Sequence, residues 1–388
     1  MRAAAIAVAA FICAVTAEDI PEVCRKGQYS IKCREDLDKI AGCQVLHGTV
    51  VVEKFPEPQI DFFSLQKVEG TLCFRDSPSI IRVNIPELTH VYQDLRFERL
   101  TSLGIITANK LAHVNMLKLQ VLPILTHMEI NSINHVRSLT VSDTSLTTFP
   151  EICTKEMTDF DVNNNRFMET LIASMETVTN AFQISGNAQN FRVEMRRLRY
   201  ASNVTVNRVE SVRMDNLEEI RNSASFVETQ LNKLSLPKLA KIGGSFRLAD
   251  NRRLTDVNVT SLKDIGGGLL LVNNTLLTKI DQFNNLDVIG GGLEVEGNVS
   301  ETRWPNLRFI KGAANMTSTN TEYKCSEWLN SEVSRAMRGG VISCGAPNTA
   351  VLSRDPTENL SYEERNSSTG SLLRVVLLWP IVAMLFFL

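Results

Sequence analysis

One spacing constrains this chain more than any other feature. The tetrads LEEI (from Leu217), LAKI (Leu239), LKDI (Leu262), LDVI (Leu286) and LRFI (Leu307) follow one another at 22, 23, 24 and 21 residues. LQKV at Leu65 and LTHV at Leu88 stand 23 apart, and METV at Met175 is a weaker member. A period in the low twenties held this evenly is the mark of a solenoid. One coil cannot bury its own apolar side chains, whereas stacked coils share a continuous interior.

Each coil repeats an inner pattern. Five residues after the lead stands glycine, at Gly70, Gly244, Gly267, Gly291 and Gly312, or asparagine, at Asn180 and Asn222. Both residue types take the left-handed backbone region readily, so a left-handed corner is expected there. Seven and nine residues after the lead come apolar pairs: Leu72/Phe74, Leu95/Phe97, Phe182/Ile184, Phe246/Leu248, Leu269/Leu271 and Leu293/Val295. Alternate strand positions share a face, so each pair should line an interior wall. Twelve residues after the lead stand Asn187, Asn251, Asn274 and Asn298. Stacked at the next bend, they should form an inward ladder, their amides bonding backbone groups left unpaired there.

Coils this short and strand-rich, without heptads, predict an all-β fold, a parallel β-helix. A leucine-rich-repeat horseshoe is the runner-up, but its LxxLxLxxN spacing is absent. The repeat is degenerate over residues 120–149 and 192–213, although VLPILTHMEI and NVTVNRVESV still alternate like strands. The expected organisation is a solenoid over residues 18–345 in two degenerate halves, about 18–190 and 191–345.

Both ends read as processing signals. AAAIAVAAFICAVTA closes on small residues before Glu18 and Asp19, the pattern of a secretory signal peptide over residues 1–17. At the other end, the small residues Asn366, Ser367 and Ser368 precede a six-residue spacer and a 14-residue apolar tail. That tail is shorter than the ~20 residues a spanning helix needs. The expectation is a GPI-attachment signal, with residues 346–366 a short polar linker and residues 367–388 removed. Attachment is expected at Asn366, with Ser367, Ser368 and Gly370 as alternatives; a type I membrane anchor is the rival reading.

Eight cysteines are present, and Cys13 leaves with the signal peptide. An oxidising compartment favours bridges at the ends of the array, where a coil has only one neighbour. The expected pairs are Cys24–Cys43 and Cys325–Cys344. An odd count leaves at least one free thiol, and without a CxxC motif no metal and no cofactor are expected. Sequons at Asn203, Asn258, Asn273, Asn298, Asn315 and Asn359, with another beginning at Asn366, suggest a glycosylated surface protein. A net charge of −2 with mixed signs gives no electrostatic case for nucleic acid.

Catalytic chemistry finds little support. Asp143, Asp159, Asp161, Asp250 and Asp256 are the candidate acids, and TDFDV, if extended, puts Asp159 and Asp161 on one face. A solvated sheet face or a turn explains them as well. His47, His90, His113, His127 and His135 are read as falling at unrelated coil positions, and no HExxH, GxSxG or Cys-His arrangement occurs. LKDIGGGLLLVNN lacks the Lys-Ser/Thr of a phosphate loop, and its glycines recur in neighbouring coils. Trp304 and Trp328 are candidate sugar platforms or packing residues. No catalytic residues are assigned.

The stretches LDKIAGCQVLHGTVVV (37–52), VSDTSL (141–146), DVNNNRF (161–167), ASNVTVNRVESV (201–212), LVNNTLLTKIDQFNNLDVIGGGLEVEGN (271–298), FIKGAANMTSTN (309–320) and the closing YKCSEWLN and GGVISCG (323–345) occur in that order. In these stretches, from about Cys24 to Gly345, the chain resembles the fungal sporulation-specific-protein family of GPI-anchored cell-wall organisation proteins with receptor L-domain repeats. The resemblance implies a non-enzymatic, glycosylated protein at the outer face of the plasma membrane or in the cell wall. It implies roles in wall integrity and polarised growth, with cell-wall glycans or mannoproteins as partners. A receptor-like module binding an extracellular peptide or glycan is the alternative. Cys33, Cys73 and Cys153 lie outside the family pattern, and the Ser/Thr-rich stretch before the anchor is short.

Overall fold

The computed structural model describes residues 21–131, 133–347 and 349–354. The expected signal peptide, the sequons at Asn359 and Asn366 and the expected attachment residues lie outside them. The described chain is an all-β parallel solenoid of about 13 turns. Its main wall is one 23-stranded sheet, and the opposite wall carries small sheets of four, three, two and two strands. Pairing is parallel from coil to coil, as in Phe246↔Leu269↔Leu293↔Ala314. The exception is Ile342–Ala346, which pairs antiparallel with Thr349–Arg354.

The alternating pairs face inward as their period requires. Leu72 and Phe74, Leu95 and Phe97, Leu269 and Leu271 are all buried. Like residues stack on like: the Phe74 and Phe97 rings lie 5.0 Å apart, and those of Phe160 and Phe182 5.1 Å apart. Each such side chain contributes about 1.5–3 kcal/mol on leaving water. No coil recovers that without a neighbour above and below.

The glycine corner works differently from the expectation. Gly244, Gly267, Gly291 and Gly312 have no positive φ. They are glycine because adjacent coils nearly touch there: a Cβ on Gly267 would sit 2.7 Å from the carbonyl carbon of Gly244, and one on Gly291 2.7 Å from that of Gly267. Left-handed residues occupy another corner, just before the ladder position, at Asp76, Arg99, Asp143, Asn164, Arg208, Glu228, Asp250 and Asn273, with φ between 49° and 57°. Such a backbone costs an L-residue about 1–2 kcal/mol. Pairing between neighbouring coils offsets part of it: Arg99 Nε donates to Asp76 at 2.6 Å, Arg208 Nε to Glu228 at 2.9 Å and Asn273 Nδ2 to Asp250 at 3.3 Å.

The asparagine ladder is present in two runs. Asn251 Oδ1 accepts from the Thr229 backbone N–H (2.9 Å) and hydroxyl (2.6 Å), while its Nδ2 donates to the Phe226 carbonyl (2.9 Å) and to Asn274 Oδ1 (3.0 Å). Asn274 in turn donates to the Leu248 carbonyl at 2.8 Å. Thr144, Asn165 and Asn187 repeat this arrangement, Asn165 accepting from the Thr144 hydroxyl at 2.7 Å. Asn298 is the correction: it is exposed and outside the ladder. Leu293–Gly297 is one residue longer than Leu269–Val272, and Gly297 has φ 147° where Asn273 has 54°. The chain therefore leaves that bend in another direction.

Both ends are closed. Cys24–Cys43 ties Glu22–Arg25 to the first coil, and Cys325–Cys344 ties the helix Cys325–Leu329 to the last parallel strand, as expected from their placement. Trp328 and Trp304 are each 1% exposed. Trp328 Nε1 donates to the Ser343 carbonyl, and Trp304 stacks on Phe283. Both tryptophans pack.

Candidate binding surface

The lead motif continues just before, and within, the stretch 120–149 read as degenerate. LAHV from Leu111 and INHV from Ile133 continue the period after LTHV at Leu88, and Leu111 and Ile133 are buried like other leads. Two residues after each lead the side chain points out of the main wall. There the three tetrads place His90, His113 and His135 in register on successive strands.

These histidines therefore share one coil position, contrary to the sequence reading. Their rings stack: His90 and His113 are 5.3 Å apart, and His113 and His135 are 4.1 Å apart and 9° from parallel. Tyr92, 47% exposed, extends the group at 5.9 Å from His113. Lys67 precedes the column in register with His90, and Arg137 stands two residues beyond His135. Thr89 Oγ1 lies 2.9 Å from His90 Nδ1. Burial, and then the neighbouring His135 and His90, holds the His113 pKa below its ordinary value. The recurring tetrad L/I-x-H-V was the signal available in the sequence.

The other two histidines lie elsewhere. His47 Nδ1 is 2.5 Å from Glu69 Oε2, and His127 on the opposite wall meets the Thr126 hydroxyl at 2.8 Å.

Asp159 and Asp161 do share the outward face of Glu156–Asn163. Each is held by an amide: Asn180 donates to Asp159 at 2.6 Å and Asn163 to Asp161 at 2.8 Å. Burial raises the Asp161 pKa. Among the described residues no basic side chain bonds to either carboxylate, so the pair is part of a polar sheet face. Asp143 is exposed at a left-handed corner, Asp250 accepts from Asn273, and Asp256 pairs with Lys233 at 2.7 Å. The five candidate acids are not brought together around a common site.

The described sequons all lie at or after Asn203. Asn273, Asn298 and Asn315 are exposed, while Asn203 and Asn258 are half-buried and donate to the Asn180 carbonyl (3.3 Å) and the Ser235 hydroxyl (3.4 Å). The strands that carry the histidine column have none, although Asn203 and Asn315 lie further along the same sheet. Cys33, Cys73 and Cys153 are free thiols, and burial followed by Glu98 pushes Cys73 up in pKa.

No protein-family model matches the chain, and no solved structure matches it. Curated relatives do. Sporulation-specific protein 22 of Saccharomyces cerevisiae is 31% identical over 85% of this chain and 72% of its own length. Sporulation-specific protein 2 of the same yeast is 32% identical over 90% and 71%. Cell wall protein ecm33 of Schizosaccharomyces pombe is 32% identical over 87% and 80%. Relatives at lower identity are named as a cell wall mannoprotein and as GPI-anchored cell surface proteins. With identity above 30% over most of both lengths, and with the repeat running through the whole match, this chain belongs to the fungal family that contains the sporulation-specific proteins and the cell wall protein ecm33.

Proposed function

We propose that this chain is a non-catalytic glycoprotein of the fungal cell surface, held by a GPI anchor at the outer face of the plasma membrane or passed into the wall. There it serves wall organisation, integrity and polarised growth. The observation that carries this reading is an unbroken, end-capped solenoid in a chain whose relatives are named as cell-wall and GPI-anchored surface proteins. Such a body is stiff along its axis because every coil is hydrogen-bonded to the next. Exposed sequons along its later coils make it a rod that spaces or holds wall polymers.

A deletion strain challenged with wall-perturbing dyes tests the role, and hypersensitivity is expected. Normal growth would remove wall organisation and leave the second reading, a receptor-like module for an extracellular glycan or peptide. The histidine-bearing coils, which carry no sequon, favour that alternative. Phosphatidylinositol-specific phospholipase should release the protein from membranes; retention there would refute the anchor.

A further inference from the structure

We propose that the column His90–His113–His135, with Lys67 in register at one end and Arg137 beside His135, is an acid-gated binding site for a linear anionic glycan. This rests on the wall-protein reading only for the class of polymer.

The geometry carries the argument. Stacking turns the ring planes toward one another, so solvent meets the ring edges, where the nitrogens are. Parallel strands repeat every ~4.8 Å, so protonation writes a file of cations at that spacing along the solenoid axis. With Lys67 the protonated file holds four positive charges and Arg137 adds a fifth beside it, and among the described residues none of the five is in an ion pair. A chain bearing one anionic group per sugar can follow such a file. A compact anion would meet only one or two of its members.

The surrounding charges do not cancel it. On the strands packed against the column, Glu69 is engaged by His47, Asp94 by Arg96, and Glu98 by Lys118 at 3.0 Å. Asp159 accepts from Asn180 at 2.6 Å and Asp161 from Asn163 at 2.8 Å, and Glu156, Asp143 and Tyr92 are the other titratable groups on these strands. At neutral pH burial and its two neighbours keep His113 uncharged, and the fixed charges beside the column are those of Lys67 and Arg137. In acid, like charges 4–5 Å apart repel one another, and a bound polyanion relieves that repulsion. The site therefore binds its ligand and its protons together. The sequons begin at Asn203, so no N-glycan is attached to the strands that form the column.

The test uses the full glycosylated chain purified in detergent, with dextran sulfate and neutral dextran of equal length as probes. We expect dextran sulfate to bind at least about ten times more tightly near pH 5 than near pH 7.5, and neutral dextran to show no such gain. The variant H90Q/H113Q/H135Q should lose the pH-dependent gain while keeping its circular dichroism. H90K/H135K should bind dextran sulfate at pH near 7.5, which a misfolded protein would not do. Equal binding at both pH values, an equal gain with neutral dextran, or a gain untouched by the triple substitution would overturn the proposal. A gain seen with poly-glutamate and absent with dextran sulfate would assign the column to an acidic protein and overturn it too. Because binding is read in vitro, its failure is distinguishable from a deletion strain without a wall phenotype.

Discussion

The coils of residues 90–207 and those of residues 219–318 close the same turn in two ways. In the first group the strand runs on through the corner, for 9 residues in His90–Glu98 and 10 in His113–Leu122 and His135–Thr144. Register shifts between Val114 and Met116, Met157 and Asp159, and Val178 and Ala181 absorb the bend. In the second group the strand breaks into short pieces, such as Asp264–Ile265 and Leu269–Val272, with glycines between. Four residues after the lead the first group has Tyr92, Asn115 and Arg137, and the second has Gly243, Gly266 and Gly290. A bulge leaves room for side chains and so for surface chemistry. A glycine corner gives up side chains for close backbone stacking. The histidine column stands beside the bulges, while most described sequons stand among the glycine corners.

That contrast can be broken most sharply by exchanging corner residues. A Cβ on Gly266 would lie 2.1 Å from the Gly243 carbonyl oxygen, so Gly266→Val should destabilise by about 4 kcal/mol or more. Asn115→Val, at the equivalent bulged corner, should cost under about 1 kcal/mol. Urea-unfolding midpoints compare the two, and equal losses would end the distinction.

The ladder should be indifferent to the kind of corner. Asn251→Ala and Asn165→Ala each leave buried backbone groups unpaired, so both should cost about 2–4 kcal/mol in the same assay. A loss confined to Asn251 would show that the ladder matters only where glycines stack. At the end of the glycine-cornered group, Cys325→Ser with Cys344→Ser should cost about 2–4 kcal/mol and expose the last coils to protease first.

The effect of pH sharpens the comparison further. The folded pKa of His113 is depressed, so its contribution to stability is full above 6.5, its ordinary value, and is lost as pH falls below it. Hydrogen exchange should therefore quicken on acidification in coils 90–144 before coils 219–318, and H113Q should remove part of that difference. Asp161 acts in the opposite sense. Its folded pKa is raised, so its charged form weakens the wall as pH rises, and D161N should stabilise slightly at neutral pH. The smallest expected effect is in glycan occupancy. A glycopeptide map should show the exposed Asn273, Asn298 and Asn315 better occupied than the half-buried Asn203 and Asn258.

Much of this was legible in the residues because the repeat is itself physical. Leads such as Leu217 and Leu262 and pairs such as Leu269/Leu271 recur since each must cover the same interior column. Asn251 and Asn274 recur since the same bend leaves the same groups unpaired. The histidine column is less legible because five residues after Leu111 and Ile133 stand Met116 and Ser138 in place of the glycine or asparagine that marks other coils, so nothing local records the register of His113 and His135. Asn298 misled for the opposite reason. It keeps the spacing, but one added strand residue removes it from the stack.

The sequence by itself determined the coil, its period, its inward face and its disulfide-closed ends, since these follow from which residues must leave water and how often. Only the tertiary structure decided which way each corner turns and which outward residues become neighbours. Those depend on backbone contact between coils some 22 residues apart, where Gly267 meets Gly244 and His113 meets His135. No local preference records that contact.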